Sequence, residues 1–282
     1  MSAALPFETI VARLRAAGCV FAEDEARLLL EASAEEASAE EAGAEEGARS
    51  STALEQLVRR RVAGEPLEHL LGWAEFDGLR IAVGPGVFVP RRRTVFLVAS
   101  AVPFVRPGAV VVDLCCGTGA VGAAILARSP EPLELWASDL DPAAVASAQQ
   151  NLGAGRVLEG DLFEPLPARL AGRVDVLVVN APYVPTDAIR TMPPEARLHE
   201  AHVALDGGDD GLDLHRRIAR EAPHWLAPGA RLLIETSRSQ AKRTEGLLAD
   251  AGLTTRIRRS AAFDATVVVA ERPGTARSRL GA

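Results

Sequence analysis

Three cysteines in 282 residues, two of them adjacent at Cys115 and Cys116, are too few and too badly spaced for a disulfide framework. A reducing, cytoplasmic setting is the simplest expectation. The thiols also match no zinc-ligand spacing, and His199-Glu200-Ala201-His202 is too short for a helical two-histidine pair, so no metal is expected. Long apolar runs are absent too. The longest, Ala109 to Ala127, is broken by Asp113 and by Gly117-Thr118-Gly119, so no membrane span is expected. The first residues lack a basic region followed by an apolar core, and no signal peptide is read there. Positive charge is not in excess: the formal net charge is −7. Residues 31–50 hold seven Glu and one Arg, a net of −6, which leaves −1 for the rest. A near-neutral chain lacks the basic excess that drives salt-dependent nucleic-acid binding, so a nucleic-acid partner is not expected. The local clusters Arg59-Arg60-Arg61 and Arg91-Arg92-Arg93 remain, the first read as a solvated face.

What the chain has is apolar content of 48%, ample for one or two cores. Phe7, Ile10, Val11 and Leu14 fall at i, i+3, i+4 and i+7, which predicts an amphipathic helix stopped near Gly18. A second helix is expected through Ala26 to Leu30, and a third over 51–63 with Leu54, Leu57, Val58 and Val62 on one face. Between them, at about 31–50, a Glu/Ala-rich segment repeats with a five-residue period. Five does not match 3.6, so it makes no apolar stripe and reads as an acidic insertion, helical in part or disordered. Residues 1–63 thus form a small all-α domain. Residues 64–93 read as a linker carrying a hairpin at Asp77-Gly78, with short strands over 79–83 and 87–89. From 94 to 282 strands alternate with helices, the α/β signature. Strands are expected near 109–114, 133–138, 155–158, 174–179, 231–236, 254–260 and 265–271, the last two joined as an antiparallel hairpin.

Two of those strands run into turns that carry chemistry. Val110-Val111-Val112 leads into Asp113-Leu114-Cys115-Cys116-Gly117-Thr118-Gly119, a glycine-rich strand-to-helix turn that lets backbone N–H groups approach a ligand. Gly117 to Gly122 even satisfies G-x-G-x-x-G, a weak signal that also suits a dinucleotide. Asp139, at the end of the next strand, can accept ribose hydroxyls from either kind of cofactor. Asp113 favours a cationic ligand over a pyrophosphate, and Gly160-Asp161-Leu162-Phe163 supplies a second acidic turn able to meet an adenine amino group. These point to S-adenosylmethionine. Val176-Leu177-Val178-Val179 leads into Asn180-Ala181-Pro182-Tyr183. There the Asn180 side chain and the Ala181 carbonyl can accept the two hydrogens of a planar amide. Pro182 stiffens the turn, and Tyr183 can stack on the amide plane.

This pair of turns resembles the HemK/PrmC family of N5-glutamine methyltransferases, which carry Asn-Pro-Pro-Tyr at the second. Gly64-Glu65-Pro66-Leu67-Glu68-His69-Leu70-Leu71-Gly72, Phe88-Val89-Pro90-Arg91 with Thr94, Asp161-Leu162-Phe163, and Ala204-Leu205-Asp206-Gly207-Gly208 with Asp210-Gly211-Leu212 are similar to family segments. The resemblance covers about 64–272. It implies a class I, Rossmann-like methyltransferase fold: a mostly parallel seven-stranded sheet ending in an antiparallel hairpin, with a small helical N-terminal domain that helps recognise the acceptor. It implies that Asp113, Cys115, Gly117, Gly119, Asp139, Asp161, Leu162 and Asn180 hold S-adenosylmethionine. Asn180, Ala181, Pro182 and Tyr183, with Pro90 and Arg91, would serve the acceptor, the glutamine of the Gly-Gly-Gln loop of a peptide-chain release factor. A monomer is expected.

The chain departs from the family at Ala181, which stands for the first proline of Asn-Pro-Pro-Tyr, and at Val95, which stands for the glutamate of Pro-Arg-x-x-Thr-Glu. The acidic insertion falls in the recognition domain. These departures suggest a divergent branch. They keep open another protein acceptor, an exocyclic amine of a nucleic acid flipped onto Tyr183, or a non-catalytic cofactor-binding relative. A dehydrogenase is disfavoured by the lack of a nicotinamide domain. The segment from Val184 to His202, rich in proline and charge, is expected to cover the acceptor entrance.

Overall fold

The computed structural model describes residues 5–39 and 46–274. They divide into two compact units. The first comprises residues up to Trp73 together with Pro193–His199. Its helices are α1 (Phe7–Ala16), α2 (Ala22–Ala39), α3 (Glu46–Val62) and α4 (Leu67–Leu71). The expected 3.6-residue stripe is largely present: Ile10, Val11 and Leu14 of α1 pack with Ala26 and Leu29 of α2 and with Leu54, Leu57 and Val58 of α3, whereas Val62, expected on the same face, is exposed. Gly18, at φ 95°, provides the left-handed stop after α1. Helix α2 runs well past Leu30 into the acidic segment, as far as Ala39. The rest of that segment to 45 lies outside the described residues. The sequence-based boundary after residue 63 differs from this division. Helix α4 adds Leu70 to the same core and ends at Gly72 (φ 73°), which carries the unit on to Trp73. Arg61, almost fully buried, is gripped by Glu25 at 2.6 Å and by Glu195 of the Pro193–His199 segment at 2.5 Å.

The second unit comprises residues 74–192 and 200 onward. Strands β1 (Trp73–Phe76) and β2 (Leu79–Ala82) form the hairpin expected from Asp-Gly, with Asp77 at φ 56° and Gly78 at φ 79° in a turn of the primed type. Residues 87–89 are not a strand, which corrects the sequence reading. Val87 and Val89 are buried, but the segment bonds to a loop rather than to a strand. Val89 N–H donates to the Glu200 carboxylate, and Gly86 C=O accepts from Ala201 N–H.

The seven-stranded sheet then builds from β3 (Val110–Leu114), β4 (Glu134–Asp139), β5 (Val157–Glu159), β6 (Val174–Val179), β7 (Leu226–Thr236), β8 (Thr254–Ser260) and β9 (Ala265–Glu271). Their order is β5-β4-β3-β6-β7-β9-β8. All pairings through β7 are parallel, and β9 is antiparallel to both β7 and β8. The helices are α5 (Val95–Ala101), α6 (Ala120–Arg128), α7 (Pro142–Leu152), the short α8 (Thr186–Ile189) and α9 (Pro194–His199), α10 (Asp213–Trp225) and α11 (Ala241–Asp250). Of these, α9 lies in the first unit. Alternate strand residues feed two cores. Val111, Val176, Val178 and Leu233 pack under α5, α6 and α7. Val112, Leu114, Leu177, Val179 and Ile234 pack under α10 and α11. Burial on both faces explains why these strands read as near-continuous apolar runs. Among the described residues no helix is long and apolar enough to cross a membrane.

Candidate active site

Strand order reverses between β3 and β6, so the crevice beyond their carboxyl ends is where an open parallel sheet offers a site. A cavity of about 590 Å³ opens there. Its wall includes Asp113 and Cys115 from the end of β3, Gly117 in the following turn, Asp139 ending β4, Asp161 and Leu162 after β5, and Asn180, Ala181, Pro182 and Tyr183 after β6. Pro90 and Arg91 line it as well. Gly119 does not. It takes φ 74° to start α6, and a Cβ there would lie 2.8 Å from Leu152, so the glycine serves close packing.

The carboxylates are held in distinct ways. Asp113 is 2% exposed and its Oδ2 accepts the Gly122 N–H at 2.8 Å, which satisfies an open donor in the first turn of α6. Burial pushes its pKa up to about 8, against the help of that hydrogen bond. Asp139 accepts from Gly117 N–H at 2.8 Å and Asp141 N–H at 3.0 Å, one on each oxygen, and burial raises its pKa. Each oxygen keeps a lone pair for a further donor. Asp161 pairs with Arg217 of α10 at 2.8 Å, a partner no motif announced. Cys115 sits at φ 58°, a left-handed position that favours glycine, and burial drives both neighbouring thiols well above their ordinary range. The cavity is thus lined by six aspartates, Asp113, Asp139, Asp141, Asp161, Asp206 and Asp213, against three arginines, Arg91, Arg93 and Arg217, and by neutral thiols. That fits a cation bearing a nucleoside better than a pyrophosphate. Among the described residues no cluster of His, Cys, Asp and Glu could hold a metal. Glu200, from the His-Glu-x-His string, instead holds Arg91 at 2.5 Å.

The turn after β6 is fixed by neighbours that sequence reasoning missed. Ala181 is 1% exposed and packs in the α10/α11 core. Val184 pairs with Asp206 in a short parallel bridge, with Val184 N–H donating to Leu205 C=O and Gly207 N–H to Val184 C=O. This draws the 206–211 loop against the backbone of Tyr183. A Cβ on Gly207 would meet Tyr183 Cα at 2.8 Å, and one on Gly211 would overlap the Tyr183 carbonyl oxygen. The glycines in Asp206-Gly207-Gly208 and Asp210-Gly211 are therefore space requirements of this turn. The Gln240 side chain donates to Tyr183 C=O at 2.9 Å, and Glu235 lies 3.5 Å from the Tyr183 hydroxyl. The repeated Gly-Asp pattern at 206–211 was a visible signal. Glu235 and Gln240 left none. Val95, where the family has glutamate, is the buried first residue of α5 and packs with Phe96 in the core beneath the helices. Arg91 stacks over Phe88 with its guanidinium 4.8 Å from the ring centre. Of the Val184–His202 segment, Val184, Met192 and His202 line the cavity.

The methyltransferase small domain family matches residues 85–210. A release factor glutamine methyltransferase of Cereibacter sphaeroides is 38% identical over 262 residues, 90% of this chain and 92% of that one. A protein of the same name from Geobacter sulfurreducens is 39% identical over 204 residues, 71% of this chain and 70% of its own. Among solved structures, a methyltransferase from Pyrococcus furiosus superposes with a TM-score of 0.52 at 15% identity, over 76% of this chain and 97% of that one, which speaks to the fold.

Proposed function

The chain belongs to the family of release factor glutamine methyltransferases, and from that premise we propose that it methylates the side-chain amide nitrogen of a glutamine in a peptide-chain release factor. The reaction draws on S-adenosylmethionine, which supplies an electrophilic methyl group on a sulfonium. The observation that carries the reading is one cavity at the β3/β6 switch point that joins the Asp113–Gly117 turn to Asn180-Ala181-Pro182-Tyr183.

The cofactor residues divide by chemistry. Asp139 takes the ribose hydroxyls, for which its oxygens retain lone pairs. Leu162 and Asp161 face the adenine. The Gly117 turn brings backbone close, and Asp113 supplies negative charge for a cationic methionine group. On the acceptor side, an amide nitrogen is a poor nucleophile because its lone pair is delocalised, so orientation matters more than proton removal. The Asn180 side-chain oxygen and the Ala181 carbonyl accept the two amide N–H groups and aim the lone pair along the methyl transfer axis. Tyr183 packs on the amide plane, and Pro182 limits the turn. Ala181 keeps the carbonyl this requires, and its burial in the core replaces the rigidity of a second proline. The proton leaves after transfer, to backbone or water. The N-terminal helical unit takes part in recognising the release factor, and the enzyme works as a single chain in the cytoplasm.

Asn180→Ala tests the assignment. It is expected to bind S-adenosylmethionine as the wild type does, measured by calorimetry, while kcat on release factor falls by about 100-fold or more, as when one oriented group is lost from a reacting centre. Equal loss of cofactor affinity would place Asn180 in cofactor binding alone and sink its role at the acceptor.

A further inference from the structure

Tyr183 is contacted at both ends from one short stretch, running from Glu235 at the end of β7 to Gln240 just before α11. Gln240 is 7% exposed. Its Nε2 faces three carbonyls, those of Tyr183 at 2.9 Å, Asp210 at 3.1 Å and Gly211 at 3.3 Å. Its Oε1 accepts from Ser237 Oγ at 2.5 Å. Every polar atom of that carboxamide is spent on holding loops, so it cannot turn without breaking several bonds at once. At the other end, Glu235 is 2% exposed. Its Oε1 lies 3.5 Å from the Tyr183 hydroxyl and 3.5 Å from Arg93 Nε, while its Oε2 is buried without a hydrogen-bond partner. Thr94 lies against the same carboxyl, and burial lifts both Glu235 and Tyr183 above their ordinary pKa ranges.

A buried carboxylate with one oxygen unsatisfied destabilises a fold by itself, and an apolar residue at the end of β7 would avoid that cost. The contact at 3.5 Å is at the outer limit of a hydrogen bond. We propose that Glu235 and Gln240 are positioning residues for methyl transfer. Gln240 fixes the Tyr183 backbone, and Glu235, steadied by Arg93, fixes the ring through its hydroxyl, so that Tyr183 presents its face to the acceptor amide. The inference rests on the reading that Tyr183 packs on that amide.

The test is a double-mutant cycle on the full chain, with purified release factor as acceptor and kcat, KM and cofactor affinity read separately. Glu235→Met removes the acceptor oxygens at nearly constant shape, and Tyr183→Phe removes the hydroxyl. Each is expected to lower kcat about tenfold, with KM for release factor and cofactor affinity within about twofold of wild type. The double variant should fall no further than about twofold below the lower single. Glu235→Gln, which keeps one acceptor oxygen, should remain within about threefold of wild type. Gln240→Met should also lower kcat with cofactor affinity intact. The cycle at Glu235 stands even if that variant does not fold. Multiplicative losses in the double variant, or wild-type kcat in Glu235→Met, overturn the proposal. Tyr183→Ala separates the two levels. A low kcat there beside normal Glu235→Met and Tyr183→Phe rejects the positioning role while leaving the packing role in place. An unchanged kcat in Tyr183→Ala rejects both.

Discussion

Asp113 is caught between burial, which disfavours its charge, and, on the proposed reading, the cationic end of the cofactor. With a pKa of about 8 it is mostly protonated at pH 7 before the cofactor binds. A cation beside it favours the carboxylate, so its pKa drops on binding and a proton leaves. Calorimetry at pH 7 in buffers of different ionisation enthalpy should therefore find about one proton released per cofactor bound, shrinking toward zero above about pH 9, where the free carboxyl is already ionised. Asp113→Asn should abolish most of the release. The thiols behave in the opposite sense to redox or catalytic cysteines. Burial raises Cys115 and Cys116 well above 9, and Cys19 is raised as well, with Glu25 adding to the effect. Thiol reagents at pH 8 should leave Cys116, which is buried, largely unmodified in the native protein and reach it fully only after denaturation. Fast labelling of Cys116 in the folded protein would contradict that burial.

At the level of elements, the 206–211 loop and the β6 turn behave as one piece, because Gly207 and Gly211 let two backbones touch. Gly211→Ala would place a methyl group against the Tyr183 carbonyl and the Gln240 amide, and its φ of 73° is itself unfavourable for alanine. Loss of about 2 kcal/mol in stability or more is expected in denaturant titration, with activity falling further than stability accounts for. Helices α10 and α11 meet at His215, fully buried, whose Nδ1 lies 3.0 Å from Thr244 Oγ1 and whose Nε2 has no partner. Burial lowers its pKa to about 4. The folded state thus keeps the ring neutral, while the unfolded chain takes up a proton near pH 6.5. Stability is unaffected above about pH 6.5 and declines as the pH falls toward 4, by on the order of 3 kcal/mol. A His215→Leu variant should lack that part of the acid slope. The strands and most helices were legible because their residues are buried on both faces or along one stripe, which writes itself into apolar periodicity. Residues 87–89 misread as a strand because Val87 and Val89 alternate as a strand does, yet Val87 N–H turns back to Gly84 C=O and Val89 N–H donates to the Glu200 side chain, more than a hundred positions away. Asn180, Asp139 and the Gly117 turn were legible because each ends a readable strand. Glu235, Gln240 and Arg217 were not, since their meaning comes only from which loop they touch.

For the whole molecule, the order β5-β4-β3-β6-β7-β9-β8 gathers the ends of β3, β4 and β6 around one cavity. That placement turns three separate motifs into one site. It could be anticipated from alternating strands and helices, but the helical unit was only partly legible. It also takes in Pro193–His199, a segment of chain distant in sequence, whose Glu195 pairs with the buried Arg61. Arg61→Met should leave the sheet-bearing unit's cofactor affinity unchanged. It should also weaken KM for release factor if the helical unit serves recognition, read from steady-state kinetics as a rise of about threefold or more at constant kcat. The central claim is the identity of the acceptor, and one experiment reaches it directly. Purified protein is incubated with methyl-labelled S-adenosylmethionine and purified release factor, and the label is mapped by peptide mass spectrometry. The account predicts a single methyl group on the glutamine of the Gly-Gly-Gln peptide, absent with Asn180→Ala. No label on release factor, with cofactor binding intact in the same preparation, would contradict it.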